Sequence, residues 1–328
     1  MIQTVARAGL PVDELQEIRK MRIEPLRGGN GKRISIVTGI HGDELEGQYV
    51  CYRLSGYLKE HRECLRGMVD IYPALNPFGI DSITRGIPAF DLDMNRIFPG
   101  NTEGDMNEYL AAEIIRDIEG SDLVLDIHAS NIFLTEVPQI RINELHQDRL
   151  VPYAKEANVD FIWVHGASTV LESTFAHSLN IRNTPTLVVE MGVGMRITKE
   201  YGEQLFAGII HLMKLLDIWD GEDYPVRRPV ISSGYDDVCF LNASSSGIFL
   251  KNRNHGAMLK KDDLIGTIVN PLSGEVIDEI KSPADGWLFT IREYPVVSEG
   301  SLMGRVLRKE VYDTGKGEEA DHGKKDTV

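Results

Sequence analysis

Four residues stand out by type and place. His41 and Glu44 belong to the tetrapeptide His41-Gly42-Asp43-Glu44, directly after the apolar run 33–40. His128 closes a second run, 122–127, and Glu190 closes a third, 186–189. Two imidazoles and one carboxylate form a recurrent donor set for catalytic zinc, with a fourth coordination position left open to water. His41 and Glu44 can chelate from one tight turn, where Gly42 lets the backbone fold sharply, and His128 would arrive from a separate strand. Zinc so held lowers the pKa of water enough to make it a nucleophile near neutral pH. A carboxylate outside the donor set is then needed to accept and relay the proton, and Glu190 is placed for that role. Taken singly, each residue has an ordinary explanation. His41 reads as a hydrogen-bonded loop histidine, Glu44 as a first-turn acid favoured by a helix dipole, His128 as a satisfied buried histidine, and Glu190 as an ion-pair partner of Arg196. Those explanations leave open why all four fall at strand ends; from spacing alone both readings stand.

A second cluster is Asp91-Leu-Asp-Met-Asn-Arg-Ile-Phe-Pro-Gly100, in which Asn95 and Arg96 are adjacent. Arginine grips a carboxylate with a two-pronged fork. Arg85, in a Gly/Pro-flanked loop ten residues before Asn95, could polarise a scissile carbonyl or stabilise an oxyanion. The plainer reading, surface arginines paired with Asp91 or Asp93, is favoured while the cluster is considered alone.

The elements that must position these residues follow from the hydrophobic pattern. The runs 33–40, 68–75, 122–127 and 186–189 are short, apolar and bounded by turn signals, which suits strands buried on both faces. Helical spacing recurs over 45–58, 106–118 and 203–218. Strands alternating with helices predict an α/β fold with a mixed, largely parallel sheet flanked by helices. In such sheets functional groups gather beyond the carboxyl ends of the strands, which would bring the four residues to one edge. The texture changes near residue 222. From about 236 to 308 short strands separated by Gly, Asn and Asp predict a small all-β region. The expected division is a catalytic domain over 1–222, a small β domain over 223–312 and a disordered tail over 313–328, where apolar residues run out.

Composition narrows the field. A length of 328 residues, 42% hydrophobic and 26% charged, is ordinary for a globular chain with a full core. The net charge of −15 argues against nucleic acid or an anionic membrane as partner and leaves a small molecule; homo-oligomerisation stays open. The three cysteines, Cys51, Cys64 and Cys239, fit neither a disulfide framework nor a thiolate zinc site. With no signal-peptide pattern and no long apolar run, a reducing, cytoplasmic location is expected.

With these residues placed, the chain resembles the succinylglutamate desuccinylase/aspartoacylase family of the zinc carboxypeptidase-like group. The matching motifs are G-I-H-G-D-E-L-E-G (39–47), N-P-F-G (76–79), D-L-D-M-N-R-I-F-P-G (91–100), D-I-H (126–128) and V-V-E-M-G (188–192). The resemblance implies one zinc ion per chain on His41, Glu44 and His128, a general base at Glu190, a substrate carboxylate gripped by Asn95 and Arg96, and Arg85 at the scissile carbonyl. The interval from Arg85 to Asn95 is longer here than in the aspartoacylase pattern. Asp126 is a candidate support for His128, provided the strand stays regular. Residues 246–308 resemble a biotinyl/lipoyl-type β fold, with no lysine at the turn 270–274 where a carrier would have one. In aspartoacylases this region shapes the active-site mouth; Arg253, His255 and Tyr294 are candidates here. The implied function is zinc-dependent hydrolysis of the amide of an N-acyl amino acid or related carboxylate-bearing amide. A zinc carboxypeptidase and a non-catalytic metal-binding protein are the alternatives.

Overall fold

Apolar runs without alternation become strands with both faces covered. In a computed structural model that describes residues 1–88, 90–166, 173–234 and 236–314, the run around His128 is buried at every position. The tail expected over 313–328 lies, from residue 315 on, outside the described residues.

The chain opens with an antiparallel hairpin, β1 (Ile2–Gly9) and β2 (Leu15–Ile23). There follow β3 (Arg33–Thr38), α1 (Glu46–Glu60), β4 (Met68–Tyr72), α2 (Pro77–Ser82), α3 (Met106–Ile118) and β5 (Leu123–Ala129). Next come β6 (Leu134–Asn143), α4 (Gln147–Lys155), β7 (Phe161–His165), α5 (Phe175–Asn180), β8 (Thr186–Gly192) and α6 (Lys199–Leu215). The remainder is β9 (Val230–Ser232), β10 (Val238–Asn242), β11 (Gly247–Lys251), β12 (Met258–Leu259), β13 (Leu264–Asn270), β14 (Glu275–Lys281), β15 (Gly286–Arg292), β16 (Val296–Val297) and β17 (Leu302–Arg308).

The large sheet runs β1-β2-β4-β3-β5-β8-β6-β15-β17-β10. It is mixed, as expected, but parallel only at its centre, β4-β3-β5-β8, and where β7 joins β6 and β9. Antiparallel strands extend it at both ends, so the parallel share is smaller than the sequence suggested. The reason is local: the N-terminal hairpin and the β-rich end of the chain both add to existing edges. The latter is notable for the site. β15 pairs with Leu134–Glu136 of β6, so strands from beyond residue 222 continue the large sheet. A separate four-stranded antiparallel sheet, β14-β13-β11-β16, completes the β-rich end.

Strand alternation assigns the two faces. Leu123, Leu125 and Ile127 of β5 pack with Leu187, Val189 and Met191 of β8 and with Val50, Leu54, Leu205 and Ile209 of α1 and α6. Val124 faces the other way, towards Leu110 and Ile114 of α3 and Phe175 and Leu179 of α5. By the same alternation Asp126 and His128 share the side of Val124.

One buried charge cluster pins the N-terminal hairpin to the sheet. Asp70, at 0% exposure, receives Arg22 Nη2 at 2.6 Å and Nε at 2.7 Å, with Lys20 Nζ at 3.3 Å and Arg33 Nη1 at 3.6 Å. Burial pushes the Asp70 carboxyl up, but the Arg22 hydrogen bonds and the Lys20 charge outweigh it and hold the group below the usual carboxylate range. Its contribution to stability is therefore full above the unfolded value of about 3.9 and is lost as pH falls through the lower folded value. Asp70→Asn leaves buried cations short of a partner and should cost about 3 kcal/mol in urea unfolding at pH 7. Its stability should also vary less than the parent's with acidification below pH about 4.

Candidate active site

The centre is built by three adjacent parallel strands. His41 and Glu44 lie in the turn between β3 and α1, His128 is on β5, and Glu190 is on β8 directly opposite His128 in the pairing register. The turn needs its glycine for space: a Cβ on Gly42 would lie 1.9 Å from the carbonyl carbon of Gly79. Gly79 in turn is set by the N-P-F-G motif. Asn76 caps α2 by accepting from Gly79 N at 2.9 Å and donates to Gly86 O at 3.1 Å. Gly42 N donates to Arg85 O at 3.2 Å, so one motif shapes both the turn that carries His41 and Glu44 and the loop that carries Arg85.

His41, Glu44 and His128 are buried, and one donor atom from each lies within 4.8 Å of the other two; among the described residues this is the one such group. The two imidazoles are arranged alike. Each presents Nδ1 to Glu44, at 2.8 Å for His41 and 2.9 Å for His128. Each has a carboxylate at Nε2, Asp93 at 3.2 Å for His41 and Asp126 at 3.1 Å for His128. The strand does stay regular, so Asp126 stands beside His128. Carboxylates behind ligand histidines fix the ring and raise its basicity. His41 Nδ1 is buried and makes no hydrogen bond despite its approach to Glu44.

The electrostatics agree with the geometry. Burial opposes a charge on either imidazole, yet Glu44 together with Asp93 or Asp126 outweighs it and raises both. Burial likewise opposes ionisation of Glu44, and the two imidazoles pull its carboxyl well below the usual range. Three carboxylates thus crowd two imidazoles around one point, a surrounding that favours a cation. The donor set fits a divalent metal of borderline softness.

A cavity of about 350 Å³ opens over these residues, lined also by Arg85, Asn95, Arg96, Arg141, Glu190 and Arg305. The seven residues expected to bind metal, act on the proton or carbonyl, or grip the substrate therefore line one cavity. Glu190 is held at 3.4 Å by Arg141 Nη1, not by Arg196, which donates to Met195 O. Burial raises the Glu190 carboxyl, with Arg141 and His128 pulling in the opposite direction. Asn95 Oδ1 accepts from Phe175 N at 2.9 Å, joining its loop to α5. Arg96 donates to Asn95 O at 2.7 Å, and among the described residues no carboxylate pairs with it. Arg85 Nη1 lies 2.9 Å from Glu44 Oε1, and its Nε is 3.5 Å from Asp93. Asp93 is thus shared between His41 and Arg85, so the plainer reading holds for Arg85, which pairs with Asp93, while among the described residues Arg96 pairs with neither Asp91 nor Asp93.

Sequence reasoning missed several lining groups. Arg141 comes from β6, His165 from β7, His146 directly precedes α4 and His177 lies within α5. Burial, with Arg141 and Arg305 nearby, lowers His165 to about 4. Burial, with Arg149 and His177, lowers His146. The β-rich end contributes Arg305, not the three candidates named from the sequence. Arg253 and His255 do not line the cavity. His255 Nε2 is instead 2.5 Å from Tyr201 Oη, and Tyr294 lines an adjoining groove that shares Asn131, Leu134 and Arg305 with the cavity. None of these residues sits at a spacing that signals a site.

Comparison with known proteins gives the family and the fold. The model of the succinylglutamate desuccinylase/aspartoacylase catalytic domain matches residues 30–216. The N-alpha-acetyl-L-2,4-diaminobutyric acid deacetylase of Halomonas elongata is 24% identical over 277 residues, covering 82% of this chain and 80% of that protein. The ectoine utilization protein EutE (DoeB) of Ruegeria pomeroyi shares the fold with a TM-score of 0.81 at 19% identity, over 94% of this chain and 95% of that one. A succinylglutamate desuccinylase/aspartoacylase from Rhodobacter sphaeroides does so with a TM-score of 0.76 at 22% identity, over 94% and 95%. Among the described residues no helix is long and apolar enough to cross a membrane.

If the three donors hold a metal together, removing one should empty the site. His128→Ala should retain less than about a tenth of the parent's metal per chain. Asp126→Asn, which leaves the donors in place, should weaken metal affinity about 10- to 100-fold. Both are read by elemental analysis and competition with a chromogenic chelator, and full occupancy in His128→Ala would remove it from the ligand set.

Proposed function

The chain belongs to the succinylglutamate desuccinylase/aspartoacylase family, and from that premise we propose that it is a zinc-dependent hydrolase of the amide bond in an N-acyl amino acid or a related carboxylate-bearing amide. The observation that carries the reading is the meeting, in one small cavity, of a His-Glu-His donor set, a half-buried carboxylate on the neighbouring strand and an arginine without an acidic partner among the described residues. His41, Glu44 and His128 would hold the zinc, which when bound supplies a Lewis acid that activates water and polarises the acyl carbonyl.

The chain's own residues supply the rest. Glu190, opposite His128 in the register, accepts the proton of the attacking water and returns it to the leaving amine nitrogen. Its burial favours this work, since a carboxyl raised above its usual value is a stronger base. Arg96 offers a guanidinium fork to the substrate carboxylate. Asn95 has its oxygen occupied by Phe175 N and keeps its amide nitrogen as a donor to the same group. Arg85, already at the metal-side carboxylate Glu44, stands where it can donate to the carbonyl oxygen as charge develops. Asp93 and Asp126 hold the imidazole rings in place.

A cavity of about 350 Å³ is at the small end of ligand sites, which favours a small amide over a peptide. The relative's named substrate, N-alpha-acetyl-L-2,4-diaminobutyric acid, belongs to this class and heads the test panel. Cys51, Cys64 and Cys239 are all free thiols, which supports a reducing, cytoplasmic setting.

The test is a panel of N-acetyl and N-succinyl amino acids, N-alpha-acetyl-L-2,4-diaminobutyric acid and short peptides. Turnover of at least one N-acyl amino acid is expected, abolished by a chelator and restored by zinc. Release of C-terminal residues from peptides, with no N-acyl amino acid cleaved, would make it a carboxypeptidase; no turnover at all would leave a metal-binding protein. Glu190→Ala should keep its metal and lose at least about 100-fold in kcat. Unchanged turnover would dismiss Glu190 as the base.

A further inference from the structure

Glu136 is enclosed beside the cavity, at 0% exposure, and the proposed reaction gives it no task. Its carboxylate accepts two contacts from Arg141 Nη2, at 2.9 and 2.7 Å. Arg305 Nη1 donates to it at 2.6 Å and Thr290 Oγ1 at 3.0 Å. Arg141 then extends its other nitrogen, Nη1, to within 3.4 Å of Glu190 Oε1. Four charged side chains thus form a chain, Arg305–Glu136–Arg141–Glu190, drawn from β17, β6 and β8.

The backbone is shaped for this. Glu136 and Arg141 are five residues apart, and on a regular strand they would point to opposite faces. The pairing of β6 with β8 slips between Glu136 and Gln139, where Pro138 supplies no N–H. The slip turns Glu136 to the side of Arg141. Trp163 lies against both guanidiniums, its ring centroid 5.9 Å from Arg141 Cζ and 5.5 Å from Arg305 Cζ, which restrains their positions.

The division of charge gives the arrangement its sense. Arg141 alone with Glu190 would close into a bidentate pair and occupy the oxygen lone pairs a base needs. Here Glu136 takes the larger share of Arg141, and Arg305 balances the second charge on the pair. What remains for Glu190 is a contact longer than the usual charge-assisted hydrogen bond, close enough to orient the carboxylate and too long to fasten it.

We propose that Glu136, acting through Arg141 and held by Arg305, is a positioning residue for the Glu190 carboxylate, so that β15 and β17 complete the active site. The proposal rests on Glu190 being the base.

A double-mutant cycle in the full-length, zinc-loaded protein tests it, using the N-acyl amino acid of the panel that the parent cleaves fastest. Glu136→Gln should lower kcat about 10-fold, with KM within about 2-fold and metal content unchanged. In a Glu190→Ala background the same substitution should change kcat by less than about 2-fold, because the group it acts through is gone. Equal losses in both backgrounds would show a merely structural role and overturn the positioning. If Glu190→Ala itself kept the parent's turnover, the base assignment would fall first and this proposal with it. A variant at the far end guards against poor folding of Glu136→Gln. Arg305→Met should lower kcat at constant KM and metal content, and Arg305→Lys should recover most of the loss; no recovery would overturn the proposal. One readout needs no substrate. In a crystal structure of Glu136→Gln, Arg141 should have swung into direct hydrogen bonds with Glu190, and an Arg141 still 3.4 Å away, as in the parent, would overturn it.

Discussion

Glu44 is a buried carboxylate facing two imidazole nitrogens at 2.8 and 2.9 Å, and each imidazole has a second carboxylate behind it. A buried negative cluster of this kind is stable only with a positive charge at its middle, either protons on the rings or a metal ion. Much of the fold answers that demand. Three parallel strands bring the donors together, a glycine-to-glycine contact lets the β3–α1 turn reach in, and Arg85 lies against the outer side of Glu44. The same demand separates Glu190 from the donor set. A fourth carboxylate directly in the cluster would add to its repulsion, so Glu190 sits one strand away and takes its countercharge from Arg141.

In the proposed reaction a second constraint follows: a countercharge beside the Glu190 base must not capture it. The bulged β6 meets this by offering Arg141 a competing carboxylate, and the β-rich end of the chain then supplies Arg305 to keep that carboxylate neutralised. On that proposal, β15 and β17 extend the large sheet in order to reach Glu136. Thr290 and Arg305 reach Glu136 only because β15 pairs with the stretch of β6 that holds it.

What could be read from the sequence follows the same physics. That His41, Glu44, His128 and Glu190 gather at one place was legible because apolar runs mark the strand ends on which they stand. The buried α/β layers, α1 and α3 were legible from periodicity. β1 and β2 were not, since their alternating charged and apolar residues carry no long apolar run, and their antiparallel addition shrank the parallel share of the sheet. Arg141 and Glu136 were hidden because their meeting depends on a one-residue slip in register. Arg305 was hidden because its partner lies 169 residues away. Asp93 stood in a quoted motif, but only geometry shows that it serves His41 rather than Arg96.

The nine histidines of the sequence make the general point. His41 and His128 face carboxylates, which outweigh burial and favour positive charge at the rings. His146 and His165 line the same cavity, but burial together with Arg149 and His177, or with Arg141 and Arg305, lowers them. At neutral pH these two are uncharged hydrogen-bonding groups. One residue type thus meets two electrostatic surroundings within one cavity, and the difference lies in which charged side chains the fold places beside each ring. Composition and spacing hold none of that information. It arises only when β5 places Asp126 beside His128 while β6 and β17 place arginines beside His165.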